Sequence, residues 1–326
     1  MATSQQVAQA FHRQQQQISA AATRSVVQQF SQLDEHALSE SWSAGIGRSI
    51  TATVSQAQLT AASGAAPYLA DLAEAQGAAG QVAAAVLIPQ ALSGIASDGR
   101  PLFSLLYLPI LLIKSLLSRG AKLPDAMRQG RTMLALLTST QVADAGRAAV
   151  TVGMTGDRGW VSYVRFLKLP SCGRCIVLAG REYSWSTGFP RHPQCDCYHL
   201  PIRRDSPERL LVQSPAEAFA AMTPEEQDKA FTKAGAEAVR LGADIGQVVN
   251  ARRGMQTAMG GRLVTTEGTT SRGIAGKQLG NLKKQRGERY RRSQTVRPMP
   301  EQLIKDAGGD RELAVQFLRR FAYLMG

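Results

Sequence analysis

The chain's four cysteines fall inside 26 consecutive positions: Cys172-Gly173-Arg174-Cys175, then, past an aromatic-rich stretch, His192-Pro193-Gln194-Cys195-Asp196-Cys197. Clustered thiols beside a histidine suit metal binding. Zinc accepts four thiolate or imidazole ligands tetrahedrally, and a CxxC turn can present two thiolates to one ion while a strand or loop returns the other pair. Cys172, Cys175 and Cys195 are the candidate sulfur ligands. The fourth is either Cys197, which would share a strand face with Cys195, or His192, which can swing in from the preceding loop. Two other uses of the thiols compete with a closed structural zinc site: reduced side chains packed as small apolar groups, and a redox or nucleophilic cysteine. Catalytic zinc would need an open coordination position and a general base. The nearby carboxylates are Glu182 and Asp196, and neither HExxH nor HxE followed by PCxxC occurs, so a structural ion is the preferred metal role. His199, between Tyr198 and Leu200, is an alternate ligand that reads better as a packed strand residue.

Two strands must frame this cluster. Residues 160–166 alternate Trp160, Ser162, Val164 and Phe166 with Val161, Tyr163, Arg165 and Leu167, a β-branched and aromatic pattern that predicts a strand entering the cluster, and residues 197–202 predict one leaving it. Everything before them reads as helix. Val7, Phe11, Ile18, Ala22, Val26, Phe30 and Leu33 recur at helical spacing, a narrow apolar seam that needs a partner helix. Ala-rich residues 56–97, broken by Gly64, Pro67 and Pro89, predict two or three further helices, and residues from Pro124 to about 152 predict another. Between them, residues 102–117 are the most apolar stretch. At about sixteen residues with Pro109 and Lys114 inside, it falls short of the roughly 20 needed to span a bilayer and predicts a buried helical hairpin. After the cluster, Ser214-Pro215-Ala216-Glu217 and Thr223-Pro224-Glu225-Glu226 are two helix starts, the second helix expected to run to about Leu241. Asp310 is placed to cap a terminal helix carrying Leu313, Phe317, Phe321 and Leu324 on one face.

The expected fold is mainly α: a long helical N-terminal region over 1–155, a small inserted α+β unit centred on the Cys/His residues over 156–212, a helical extension over 213–255, and a basic C-terminal arm ending in a short helix over 256–326. With 326 residues, 44% hydrophobic and only 6% aromatic, the chain is long enough for a sizeable core, which excludes small disulfide scaffolds and wholly disordered tails. Residues 1–17 lack a basic patch followed by an apolar run, so no signal peptide is expected and the thiols are expected in a reducing cytoplasm.

Charge is distributed unevenly. The net charge is +13, yet residues 1–150 carry ten cations against eight acids, residues 151–250 twelve against eleven, and residues 251–326 sixteen against six. Gly-rich composition among these cations favours an extended or flexible arm. Its densest run supplies Lys283, Lys284, Arg286, Arg289, Arg291 and Arg292 as candidate phosphate contacts, able to neutralise DNA without base specificity. A solvated surface, or an acidic patch on a protein partner, are the rival uses. Asp244 is expected to pair with Arg252 or Arg253 nearby.

The cysteine segment also carries a resemblance. The order CxxC, Leu178-Ala179-Gly180-Arg181, an aromatic-rich loop and Pro190-Arg191-His192-Pro193-Gln194-Cys195-Asp196-Cys197 resembles the head-morphogenesis domain of the phage Mu F-like minor capsid proteins. Downstream, Glu226-Gln227-Asp228-Lys229-Ala230-Phe231, Gly242-Ala243-Asp244-Ile245 and Val249-Asn250-Ala251-Arg252-Arg253-Gly254-Met255 look like the version carried by tailed phages of actinobacteria. The resemblance covers residues from about 160 to 260. It implies a minor head protein inside the virion near the portal, made in the host cytoplasm, that helps head assembly and DNA packaging or delivery. Implied partners are the portal protein, a major capsid or scaffold protein, and phage DNA through the basic arm, with no stable membrane insertion. Related phage genes are also labelled capsid maturation proteases, and a DNA-binding virion protein is a further alternative. The four histidines stand at 12, 36, 192 and 199, no GxSxG occurs, and a Cys172 or Cys175 nucleophile with His192 would exclude their use as ligands, so no catalytic residue is assigned.

Overall fold

The computed structural model describes residues 2–78, 85–189, 191–192, 195, 197–204, 206 and 213–324. Pro190, Pro193, Gln194 and Asp196 of the cysteine motif lie outside the described residues. The chain divides into two compact units, residues 1–168 with 181–212, and residues 169–180 with 213–326.

In the first unit the N-terminal seam folds as helix α1 (Ser4–Phe30), started by a reciprocal capping box between Thr3 and Gln6. Phe11, Ala22, Val26 and Phe30 of the seam are buried. Helices α2 (Leu38–Ser41), α3 (Gly47–Ser63) and α4 (Ala65–Ala75) follow, and then α5 (Leu102–Leu106) and α6 (Leu108–Ser118), the two halves of the apolar stretch. The expected hairpin does not form, because Tyr107, the one residue between the two helices, keeps helical backbone angles; the pair is half-sunk, with Leu102, Leu106, Ile110 and Ile113 fully covered and Phe103 and Leu111 facing solvent. No described helix is long and apolar enough to cross a membrane. Helix α7 (Leu123–Gly156) spans 34 residues, with Pro124 and Asp125 in its first turn, where a missing N–H costs nothing and a negative charge meets the helix dipole. The latter half of α1 packs with α3, α5, α6 and α7 around Val26, Phe30, Trp42, Ile50, Val54 and Leu134.

The first half of α1, with α4 and the end of α7, covers a three-stranded antiparallel sheet ordered β2 (Glu182–Ser184), β1 (Trp160–Phe166), β3 (Tyr198–Arg203). Tyr163 stands opposite both Tyr183 and Pro201, and Val164 opposite Leu200. Trp160, Tyr163, Val164, Tyr198, Leu200 and Ile202 join Phe11, Tyr68, Leu72 and Met154 in one core. Tyr68 ties α4 to both of its neighbours: its ring stacks on Phe11 of α1 at 4.1 Å between centroids, and its hydroxyl donates to the His199 carbonyl of β3 at 2.8 Å. Strand β2 has no counterpart in the sequence reading, because three residues are too few to show a period.

The second unit opens with a single helical turn, α8 (Gly173–Ile176), followed by α9 (Pro215–Ala220) and α10 (Pro224–Phe231). Both of these later starts carry the capping boxes read from the sequence, Ser214 with Glu217 and Thr223 with Glu226. The second helix does not run on to Leu241. It stops at Thr232, whose φ of 67° breaks the helix and whose hydroxyl then caps α11 (Lys233–Arg240) through the Gly235 N–H. Asp244 likewise caps α12 (Ile245–Ala251) rather than pairing with a neighbouring arginine, and Arg252 pairs instead with Glu301 at 2.8 Å.

The basic arm is not extended. It folds into β4 (Met255–Thr257), β5 (Leu263–Thr265), α13 (Ile274–Leu279), β6 (Leu282–Lys283), β7 (Arg292–Ser293) and β8 (Arg297–Pro298), with sheet order β4-β5-β8 and a separate β6-β7 pair. The glycines serve tight passages: a Cβ on Gly276 would run into the Thr270 carbonyl and one on Gly273 into Gly268. Helices α14 (Pro300–Asp306) and α15 (Arg311–Arg320) close the unit, the latter capped by Asp310 as expected. Met299, Leu303, Leu318 and Tyr323 pack there against Ala238, Val248 and Ala251.

Candidate metal centre and candidate nucleic-acid interface

Cys195 and Cys197 lead into β3 and are held by the neighbouring helix. Arg147, on the buried face of α7 and only 4% exposed, donates its Nε to the Cys197 carbonyl at 3.0 Å and an Nη to the Cys195 carbonyl. Asp144, one turn back, accepts from Arg147 at 3.1 Å and also pairs with Arg191. Burial pushes the Asp144 carboxyl up, against the opposing pull of Arg191 and Arg147. From β1, the Arg165 guanidinium donates to Cys195 Sγ at 3.7 Å and lies 4.3 Å from the centre of the Phe189 ring. A cation against sulfur favours thiolate over thiol. His199 is 1% exposed, edge-on to Tyr163 and within hydrogen-bond reach of the Thr151 hydroxyl at 3.3 Å. Burial, with Arg147 and Arg165 adding repulsion, pushes its imidazole down to about 3, so it packs as a neutral ring.

Cys172 and Cys175 belong to the α8 turn. Cys172 is the residue before its first helical position, and its carbonyl accepts from Cys175 N–H at 2.9 Å, the tight loop that a CxxC pair needs to aim two thiols at one point. Gly173 lets the turn sit close, since a Cβ there would meet Ala230, Phe231 and Val249 at 3.1–3.3 Å.

Within the second unit the thiols of Cys172 and Cys175 lie within 4.8 Å of one another, and within the first unit so do those of Cys195 and Cys197. Tetrahedral zinc with ~2.3 Å Zn–S bonds separates its sulfurs by about 3.8 Å, so either pair can offer two ligands to such an ion after a small contraction. Sequence reasoning singled out these four cysteines and His192, but not Arg147 or Arg165. The signal for Arg147 was an Asp-x-x-Arg pair within the Ala- and Val-rich run 142–150, polar residues on a face that must be buried.

The six candidate phosphate contacts cluster on the β6-β7 pair and its connecting turn. Lys283 stands directly opposite Arg292. Lys283, Lys284, Arg286, Arg289 and Arg291 are exposed. Arg292 is half-buried and turned inward, donating to Glu288 at 3.2 Å, the Thr266 carbonyl at 2.9 Å and the Thr269 hydroxyl at 3.2 Å. Arg272, which the dense run did not include, reaches the turn: it donates to the Tyr290 hydroxyl at 2.8 Å and lies 5.0 Å from that ring's centre, with Arg289 at 5.3 Å. Arg297 is 1% exposed and contributes nothing to the surface. Its guanidinium donates to the carbonyls of Phe321, Glu267 and Ala322 and to Gln247, over the Tyr323 ring.

Comparison with known proteins gives one family. The VG15 protein family matches residues 2–222, about two thirds of the chain. No curated protein and no solved structure matches it. The chain belongs to the VG15 family, a family of phage virion proteins.

Proposed function

We propose that this virion protein is a Mu F-like minor capsid protein of a tailed phage, portal-associated inside the head, that assists head assembly and DNA packaging or delivery. One observation carries the reading. Of the residues that bear the Mu F-like resemblance, Cys172 stands within ligand distance of Cys175 and Cys195 within ligand distance of Cys197, and both pairs lie inside the stretch that the virion family matches. In this reading zinc is structural: the thiols would hold it, Arg147 fixes the carbonyls of Cys195 and Cys197, and Arg165 stabilises sulfur charge. The helices of the first unit supply protein contacts, and the cations of the β6-β7 turn meet phage DNA. Coexpression with the portal, scaffold and major capsid proteins tests the assignment. The chain should copurify with procapsids and leave the head proteins full length. Trimmed capsid subunits whose cleavage is abolished by Cys172→Ser or His192→Gln would replace this reading with a maturation protease.

A further inference from the structure

The folded arm contains more than a run of positive charge. Residues 269–293 hold eight cations and one acid, and the fold sorts them. Arg292 is spent internally on Glu288, Thr266 and Thr269. The isolated bridge between Thr270 and Arg292, and the Ser271 N–H donating to the Arg291 carbonyl at 2.8 Å, bind the segment before α13 to β7. The Gly276 N–H donates to the Gly268 carbonyl at 2.8 Å and draws α13 onto the 266–269 loop, which Arg292 of β7 also holds. As a result Arg272 and Lys277, both exposed and distant in sequence from the dense run, belong to the same small folded block as Lys283, Lys284, Arg286, Arg289 and Arg291. The block's single aromatic residue, Tyr290, is already engaged by Arg272 and Arg289 over its ring.

From this arrangement we infer that residues 269–293 form a preorganised phosphate-binding block for duplex DNA, in which Arg272 and Lys277 are contact residues and Arg292 is a structural one. The inference rests on the reading that these cations meet phage DNA. Two features select the duplex. Proteins that prefer single strands combine cations with aromatic platforms on which bases stack, each worth about 1–3 kcal/mol, and here the one aromatic ring is taken by guanidinium groups. Cations spaced along a turn whose main chain is tied down by hydrogen bonds, moreover, suit the regular phosphate rows of a double helix. No base-reading helix or strand accompanies them, so binding should be independent of sequence.

Binding of the full chain to a 30-base-pair duplex of arbitrary sequence, and to the single strand of equal length, is measured by fluorescence anisotropy over a series of KCl concentrations. The expected result is at least about threefold tighter binding to the duplex, with a log–log salt slope that becomes shallower by about 0.9 for each contact removed. Arg272→Gln and Lys277→Gln should each weaken duplex binding by a factor similar to that of Lys283→Gln. Thermal unfolding of each variant at the parent midpoint keeps the comparison free of misfolding. Equal or tighter binding to the single strand overturns the inference, as does unchanged affinity in Arg272→Gln and Lys277→Gln while Lys283→Gln is impaired. Absence of binding to either DNA overturns the reading beneath it.

Discussion

Arginine does three different jobs in this chain, and burial together with the partner it meets separates them. Arg147 and Arg297 lie in the interior with their N–H groups on main-chain carbonyls, Arg165 meets a sulfur, and Arg289 and Arg291 face solvent. A net-charge count treats them alike. The sequence therefore revealed where cations concentrate, but not that Arg292 and Arg297 were withdrawn from the surface by partners 23–30 residues away in sequence, such as Thr269 and Glu267. The thiols could be singled out as candidates because their chemistry is local and their spacing short. At this scale the account predicts about one equivalent of zinc in the purified chain by elemental analysis, since a set of cysteine thiolates binds the ion with a large share of folding energy. Cys175→Ser, which removes one thiol of the CxxC pair, should lose the metal. Less than about half an equivalent, with all four thiols reacting at once in the native protein, would refute the zinc assignment.

Elements were read best where their signals are written in consecutive residues. The α1 seam, the strand Trp160–Phe166 and the capping boxes at Ser214 and Thr223 all emerge from a few neighbouring positions. Thr232 was missed because a β-branched residue at positive φ is a tertiary outcome, held by its bonds to Gly235, Arg252 and Glu301. The short strands of the arm were missed for a related reason: two- or three-residue pairs have no period, and glycine composition that suggests an open chain also permits tight turns. The caps offer a direct check on these elements. Thr223→Ala removes the acceptor for Glu226 N–H and should lower stability by about 1 kcal/mol in denaturant unfolding, with Thr223→Ser close to the parent. An unchanged midpoint in Thr223→Ala would mean that the capping box does not hold α10.

Across the whole molecule, the family match and the charge occupy different stretches. Residues 2–222 carry the virion-family relationship and the cysteine cluster, while the block 269–293 lies beyond it with eight cations. Head association and DNA contact should accordingly be separable: neutralising the exposed cations leaves incorporation intact, whereas disrupting the cysteine cluster removes it. The most direct measurement is cross-linking mass spectrometry on purified heads carrying the full chain. The account predicts cross-links between this chain and the portal protein, recovered from DNA-filled heads before tails are attached. A chain absent from those heads, or cross-linked only to tail proteins, would contradict it.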